Sequence, residues 1–161
     1  MSHYAEEKVN AYSPDYQYSP AVSKLSGGGY VVVWTSRDQD GSGDGVYAQR
    51  YDASGVPIGP EFRVNTTTAS AQLEPQVAGL SDGSFAIVWT DQGGADGSSY
   101  GVYLQRYTAD GSLLGGEQRV NTYTNSQQNE PALAAYDGGF VVTWSSYGPD
   151  GSDLGVQAQR F

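Results

Sequence analysis

The run Asp38-Gln39-Asp40-Gly41-Ser42-Gly43-Asp44 places carboxylates at alternate positions around glycines that permit a sharp turn. Oxygen donors at that spacing suit a hard cation, which makes Asp38, Asp40 and Asp44 candidate calcium ligands. The distal bidentate Glu of an EF-hand loop is missing, and no helices flank the run. Two later stretches match it, Asp91-Gln92-Gly93-Gly94-Ala95-Asp96 and one that retains Asp150 and Asp153, and each holds fewer carboxylates. What persists in all three copies is Asp-Gly-Ser. Those residues are also what a plain turn needs, with Asp bonding nearby backbone N–H groups and Gly taking positive φ. A calcium loop and a structural turn both stand as readings of the first copy.

A second set of residues suits a hydroxyl-rich ligand. Trp34, Trp89 and Trp144 are the only tryptophans, spaced 55 and 55 positions apart. They offer flat faces for sugar stacking, or core packing if the strands carrying them are buried on both sides. Arg50, Arg106 and Arg160 alternate with small apolar residues, so each is expected to point between layers, where a buried Arg must be paired. Glu61 and Glu117 are the expected partners. The set then reads either as structural ion pairs or as a repeated Arg, acid and Trp cluster that binds carbohydrate.

Catalysis is not expected. There is no cysteine, and His3, the single histidine, sits in a terminal leader without a partner. The residues that stand out obey a repeat, whereas an active site needs an asymmetric constellation. Repeated sites favour multivalent binding. The expectation is a non-enzymatic, lectin-like or adhesin-type module, with a structural spacer and, last, a propeller glycosidase as alternatives.

These residues are positioned by a threefold repeat. Tyr30-Val31-Val32-Val33-Trp34-Thr35 returns as Phe85-Ala86-Ile87-Val88-Trp89-Thr90 and as Phe140-Val141-Val142-Thr143-Trp144-Ser145. Glu6-Glu7-Lys8-Val9-Asn10 returns as Glu61 to Asn65 and Glu117 to Asn121. Gln17, Gln72 and Gln128 each precede a proline (Pro20, Pro75, Pro131) by three. Agreement this dense marks one structural unit used three times, in a domain spanning 6–161 with repeats 6–60, 61–116 and 117–161 after a leader at 1–5.

Composition agrees with strands. Glycine is frequent (22 residues) and aromatics make up 12%, which favours short strands and tight turns over helices. Net charge is −10 and the pI about 4.2, so the basic footprint of a nucleic-acid binder is missing. No apolar run reaches membrane-spanning length, and no signal peptide is evident at the polar start.

The expected fold is all-β: three four-stranded antiparallel units, read as β-propeller blades. The opening strand would complete a last blade, as in propellers that close by strand exchange. Three blades are too few for a ring, so a homodimer forming a six-bladed ring is expected, with Lys8, Val9 and Asn10 of one subunit beside Ala158 to Arg160 of the other. A three-fold β-trefoil or β-prism is the alternative.

The combined pattern, Val31-Val32-Val33-Trp34, Asp40-Gly41-Ser42-Gly43, Val46-Tyr47-Ala48-Gln49-Arg50-Tyr51-Asp52 and Glu61-Phe62-Arg63-Val64-Asn65-Thr66, resembles repeats of large secreted bacterial proteins of the RTX and adhesin type. The resemblance covers residues 6–161 and implies a secreted or cell-surface module. The glycine-rich calcium nonapeptides of RTX proteins are absent, so their calcium chemistry does not carry over.

Overall fold

The computed structural model describes residues 5–94, 97, 99–149, 151 and 153–161. Eleven strands form three antiparallel sheets, with no helix among the described residues. The first sheet is β1 (Gln17–Lys24), β2 (Tyr30–Arg37), β3 (Asp44–Tyr51) and β4 (Phe62–Arg63). The second is β5 (Gln72–Gly79), β6 (Phe85–Asp91), β7 (Gly101–Tyr107) and β8 (Gln118–Arg119). The third is β9 (Gln128–Tyr136), β10 (Gly139–Ser146) and β11 (Gly155–Arg160). Strands are ordered in each sheet as in sequence, which is the meander of a propeller blade.

The blades stack face to face. Strand β1 lies against β5 and β5 against β9, so the first strands form the inner edge of the stack. One face of β6 and of β10, the tryptophan strands of blades 2 and 3, meets the opposite face of the preceding blade. Val31, Val33, Val46, Ala48 and Val64 of blade 1 pack on Phe85, Ile87, Trp89 and Tyr103 of blade 2. Ala86, Val88, Val102, Leu104 and Val120 of blade 2 pack on Phe140, Val142 and Trp144 of blade 3. Only β6, between two blades, is buried at every position, which suits its apolar run Phe85 to Trp89, whereas burial alternates along β10. Cross-strand aromatic stacks recur where the second strand of each blade begins and the third ends: Tyr30 on Tyr51 (4.7 Å), Phe85 on Tyr107 (4.8 Å) and Phe140 on Phe161 (5.0 Å).

This is the propeller-blade arrangement and not the β-trefoil or β-prism. The blades form an open stack in which the outward face of blade 3, with Val156 79% exposed, meets no other blade. Residues 5–10 belong to no sheet. The reversals between first and second strands differ: Asp137-Gly138 is a two-residue turn between paired Tyr136 and Gly139, with Gly138 at φ +103°. The other two are longer, closed by Leu25 N to Gly29 O (3.0 Å) and Leu80 N to Ser84 O (2.7 Å).

Candidate functional site on the innermost strands

The expected ligand residues serve mostly as fastenings. Trp34, Trp89 and Trp144 are 3%, 1% and 7% exposed, so their faces lie against protein and present no platform to a sugar. Glu61 does not meet an arginine. Its carboxylate accepts from Ala11 N (2.6 Å), Tyr12 N (3.1 Å) and Gln39 Nε2 (2.7 Å), pinning the connection that leads into its own blade. Glu117 does the same one blade on, accepting from Thr66 N (2.7 Å) and from the hydroxyls of Thr66 (2.9 Å) and Thr67 (3.0 Å). Arg50 reaches across to the next blade and donates to the carbonyls of Ala109 (2.8 Å) and Asp110. Arg106 sits over the Phe140 ring at 5.9 Å, and Arg160 lies on the open face of blade 3 beside Tyr136, Val141 and Ala158. The repeated cluster expected from sequence is therefore not assembled. Each acid serves backbone amides, which satisfy a carboxylate without a counter-ion.

The acidic loop folds as a turn. Asp38 has φ +53°, its backbone N bonds Gly43 O (2.5 Å), and its side chain accepts from Gly43 N at 3.1 Å. Asp40 accepts from Ser42 N at 3.1 Å. Asp44 bonds the hydroxyl of Tyr18, which burial, the Asp44 charge and that hydrogen bond together push up to about 12. Among the described residues no group of three acidic, His or Cys side chains converges as a cation cage. His3, Asp96 and Asp150 lie outside the described residues.

The repeat's Asn and Gln form a buried lattice that ties one blade to the next. Asn65 Oδ1 accepts from Val46 N (2.8 Å), and its amide donates to Gln72 Oε1 (2.9 Å) and Thr67 O (2.8 Å). Gln72 in turn donates to Asp91 Oδ2 (3.0 Å). Asn121 and Gln128 repeat the bond at 3.1 Å.

One feature of the innermost strands has no structural duty of comparable weight. In each blade the residue pair ending in the repeat proline bulges opposite the tryptophan. Ser19-Pro20 faces Trp34, Glu74-Pro75 faces Trp89, and Glu130-Pro131 faces Trp144, with register shifts at these points. Two residues opposing one is a β-bulge, a device that re-aims side chains. Ser19, Glu74 and Glu130 adopt φ of +51°, +56° and +54°. A non-glycine residue there, and directly before proline, is strained by roughly 1–3 kcal/mol. Glu74 and Glu130 are exposed. Each is steadied by one bond from its neighbouring strand: Thr90 Oγ1 to Glu74 Oε2 at 3.2 Å and Ser145 Oγ to Glu130 Oε2 at 3.0 Å. Blade 1 has Ser19 instead, and the hydroxyl of the equivalent Thr35 is buried with no partner.

These two glutamates were not singled out from sequence. The available signal was a carboxylate immediately before the repeat proline in two copies of three. Their arrangement supplies two solvent-facing carboxylates at equivalent points of neighbouring inner strands. Such groups accept hydrogen bonds from ligand hydroxyls, and in glycoside cleavage they act as acid and base or nucleophile.

No family model matches the chain, and no curated protein matches it. Among solved structures, the chain is similar to an endo-arabinase from Bacteroides thetaiotaomicron VPI-5482, with a TM-score of 0.60 and 12% identity over 96% of this chain and 59% of that one. It is also similar to a thermostable family-43 glycoside hydrolase, with a TM-score of 0.54 and 15% identity over 86% of this chain and 49% of that one. The chain thus spans only about half the length of these structures. At such identity the likeness establishes the fold. It also overturns the expectation of a non-enzyme, because that expectation rested on repeat symmetry, and two structures that share this fold are an endo-arabinase and a glycoside hydrolase. A symmetrical scaffold carries an asymmetric site as soon as single positions differ between blades, as Ser19 differs from Glu74 and Glu130.

Proposed function

We propose that the domain acts on carbohydrate, with Glu74 and Glu130 as the groups that meet the sugar and cleavage of a glycosidic bond as the reaction. The observation that carries this reading is the strained, exposed pair itself. Backbone strain of this kind persists where surrounding structure enforces it, and it concentrates at sites of function. A glutamate anchored through one oxygen keeps the other for a ligand hydroxyl or a glycosidic oxygen. In cleavage, one carboxyl protonates the leaving oxygen and the other acts as nucleophile or activates water. The two similar hydrolases support carbohydrate as the substrate class. The resemblance to repeats of secreted bacterial proteins adds a secreted or cell-surface setting, where glycans are at hand.

The test is a panel of chromogenic glycosides, arabinosides included, run beside a glycan array with wild type, Glu74→Gln and Glu130→Gln. We expect turnover of at least one glycoside, reduced on the order of 100-fold or more in either variant, with melting temperature unchanged. Binding without turnover would keep the ligand class and remove the hydrolytic step. Neither binding nor turnover would overturn the whole reading.

A further inference from the structure

We infer that a second copy of this chain completes the blade stack, residues 6–10 of each copy occupying the fourth-strand position of the other's blade 3. Blades 1 and 2 show what that position requires. Val64 N donates to Val46 O (2.8 Å) while Asn65 Oδ1 accepts from Val46 N (2.8 Å). Val120 and Asn121 make the same two bonds to Val102, both at 2.8 Å. Packed also against the next blade, Val46 and Val102 are 0% exposed, and Val64 and Val120 are 2% and 1% exposed. In blade 3 the equivalent Val156 is 79% exposed, with no fourth strand beside β11.

Residues 6–10 are that strand in sequence and are partly preset for it. Val9, the counterpart of Val64 and Val120, is 37% exposed. Asn10 already donates to Gln17 Oε1 (3.0 Å) and Tyr12 O (2.6 Å), as Asn65 does to Gln72 and Thr67. The amide side of Asn10 is thus committed as in the complete blades. Its Oδ1 is the atom that would accept from the partner's Val156 N. The register of β3 on β4, Tyr47 opposite Arg63 and Ala48 opposite Phe62, sets Lys8 opposite the partner's Gln157 and Val9 opposite the partner's Val156, and not beside Ala158 to Arg160 as the sequence pattern suggested.

The neighbouring face is shaped for the same occupant. A cavity of about 180 Å³ lies between Val9, Tyr18, Pro20, Val32 and Trp34, and Trp34 Nε1 is buried beside it without a partner. In the complete junctions the tryptophan shares its cluster with two valines, Val46 and Val64 around Trp89, Val102 and Val120 around Trp144. At Trp34 the counterpart of Val64 and Val120 is Val9, and the counterpart of Val46 and Val102 would be the partner's Val156. Arg160 would then donate to carbonyls of the partner's Ala53 turn, as Arg50 does to Ala109 and Asp110. Two copies of three blades make six, within the four to eight that propellers use.

Light scattering on the 161-residue chain should report twice 17.1 kDa. Val156→Asp, a change at a side chain exposed in the single chain, should give a monomer with unaltered circular dichroism. The double variant Val9→Cys, Val156→Cys supplies the positive result, because cross-strand neighbours at this spacing suit a disulfide and the chain has no other cysteine. Mild oxidation should yield a covalent dimer on a non-reducing gel. A monomeric wild type, a dimer that survives Val156→Asp, a disulfide within one chain, or a ladder of higher oligomers would each overturn the inference.

Discussion

Asn65 donates to Gln72 Oε1 at 2.9 Å from seven residues away, joining the end of one blade to the start of the next. Both side chains are essentially buried, at 1% and 0% exposure. Removing Asn65 strands Val46 N and Gln72 Oε1 away from water, and each such orphan costs about 1–3 kcal/mol. Asn65→Ala should therefore lose about 3 kcal/mol, lowering the melting temperature by roughly 10 °C for a domain of this size. Calorimetry beside an exposed control, Lys24→Ala, checks this. A loss no larger than the control's would mean the lattice does not fasten the blades.

The strain at Glu130 and Glu74 separates stability from function. Glycine takes φ near +55° without steric cost, so Glu130→Gly should relieve more than is lost with the single bond to Ser145. Glycine's greater freedom in the unfolded chain offsets part of that relief, so the expected outcome is a change in stability of less than about 1 kcal/mol, read from urea denaturation, together with loss of carbohydrate turnover. A clear fall in stability would show that the positive φ is not under strain and would weaken the case for a functional bulge.

Most of the fold was legible because the sequence repeats. Periodic tryptophans, two-sided apolar strands and the Asn–Gln–Pro spacing are consequences of packing, and packing repeats with the blades. The site was less legible for two physical reasons. Glu61 and Arg50 carry opposite charges on or beside neighbouring strands, which suggests a pair. Backbone amides at Ala11 and Tyr12 and carbonyls at Ala109 and Asp110 lie nearer, and sequence does not reveal backbone donors. Glu74 was hidden because its significance lies in a backbone angle, and only the bulge opposite Trp89 makes a glutamate before proline unusual.

Tyr18 predicts an alkaline effect. Its hydroxyl is pushed from 10.0 up to about 12 by burial, by the charge of Asp44 and by their hydrogen bond. A folded-state value above the unfolded one means the neutral form is favoured in the folded state. That stabilisation is whole below pH 10 and is lost as pH rises through about 12. Tyr18 is 38% exposed, so solvent screening keeps the contribution small. Tyr107, which burial also raises, is 2% exposed and should ionise only on unfolding. Burial also raises Tyr47 and Tyr51, so tyrosinate absorbance should show several residues titrating late in the folded protein, with one fewer in Tyr18→Phe. An unchanged titration in that variant would reassign the late group.

Arg50 and Gly111 should prove coupled. The Arg50 guanidinium forks onto the carbonyls of Ala109 and Asp110, clamping the turn of blade 2 to blade 1. Gly111 has φ +89°, and a Cβ built there would lie 2.3 Å from Arg50 Nη1. Arg50→Lys keeps the charge and loses the planar fork, so it should cost about 1 kcal/mol, and Arg50→Ala somewhat more. Gly111→Ala should cost more than its backbone angle alone, because the new methyl displaces the guanidinium and breaks the clamp. In an Arg50→Ala background that second part has already been lost, leaving only the backbone cost. The double variant should therefore be less destabilised than the sum of the singles, by about 1 kcal/mol. Urea denaturation of the four proteins in the cycle measures that difference, and strict additivity would show that the clamp and the turn act independently.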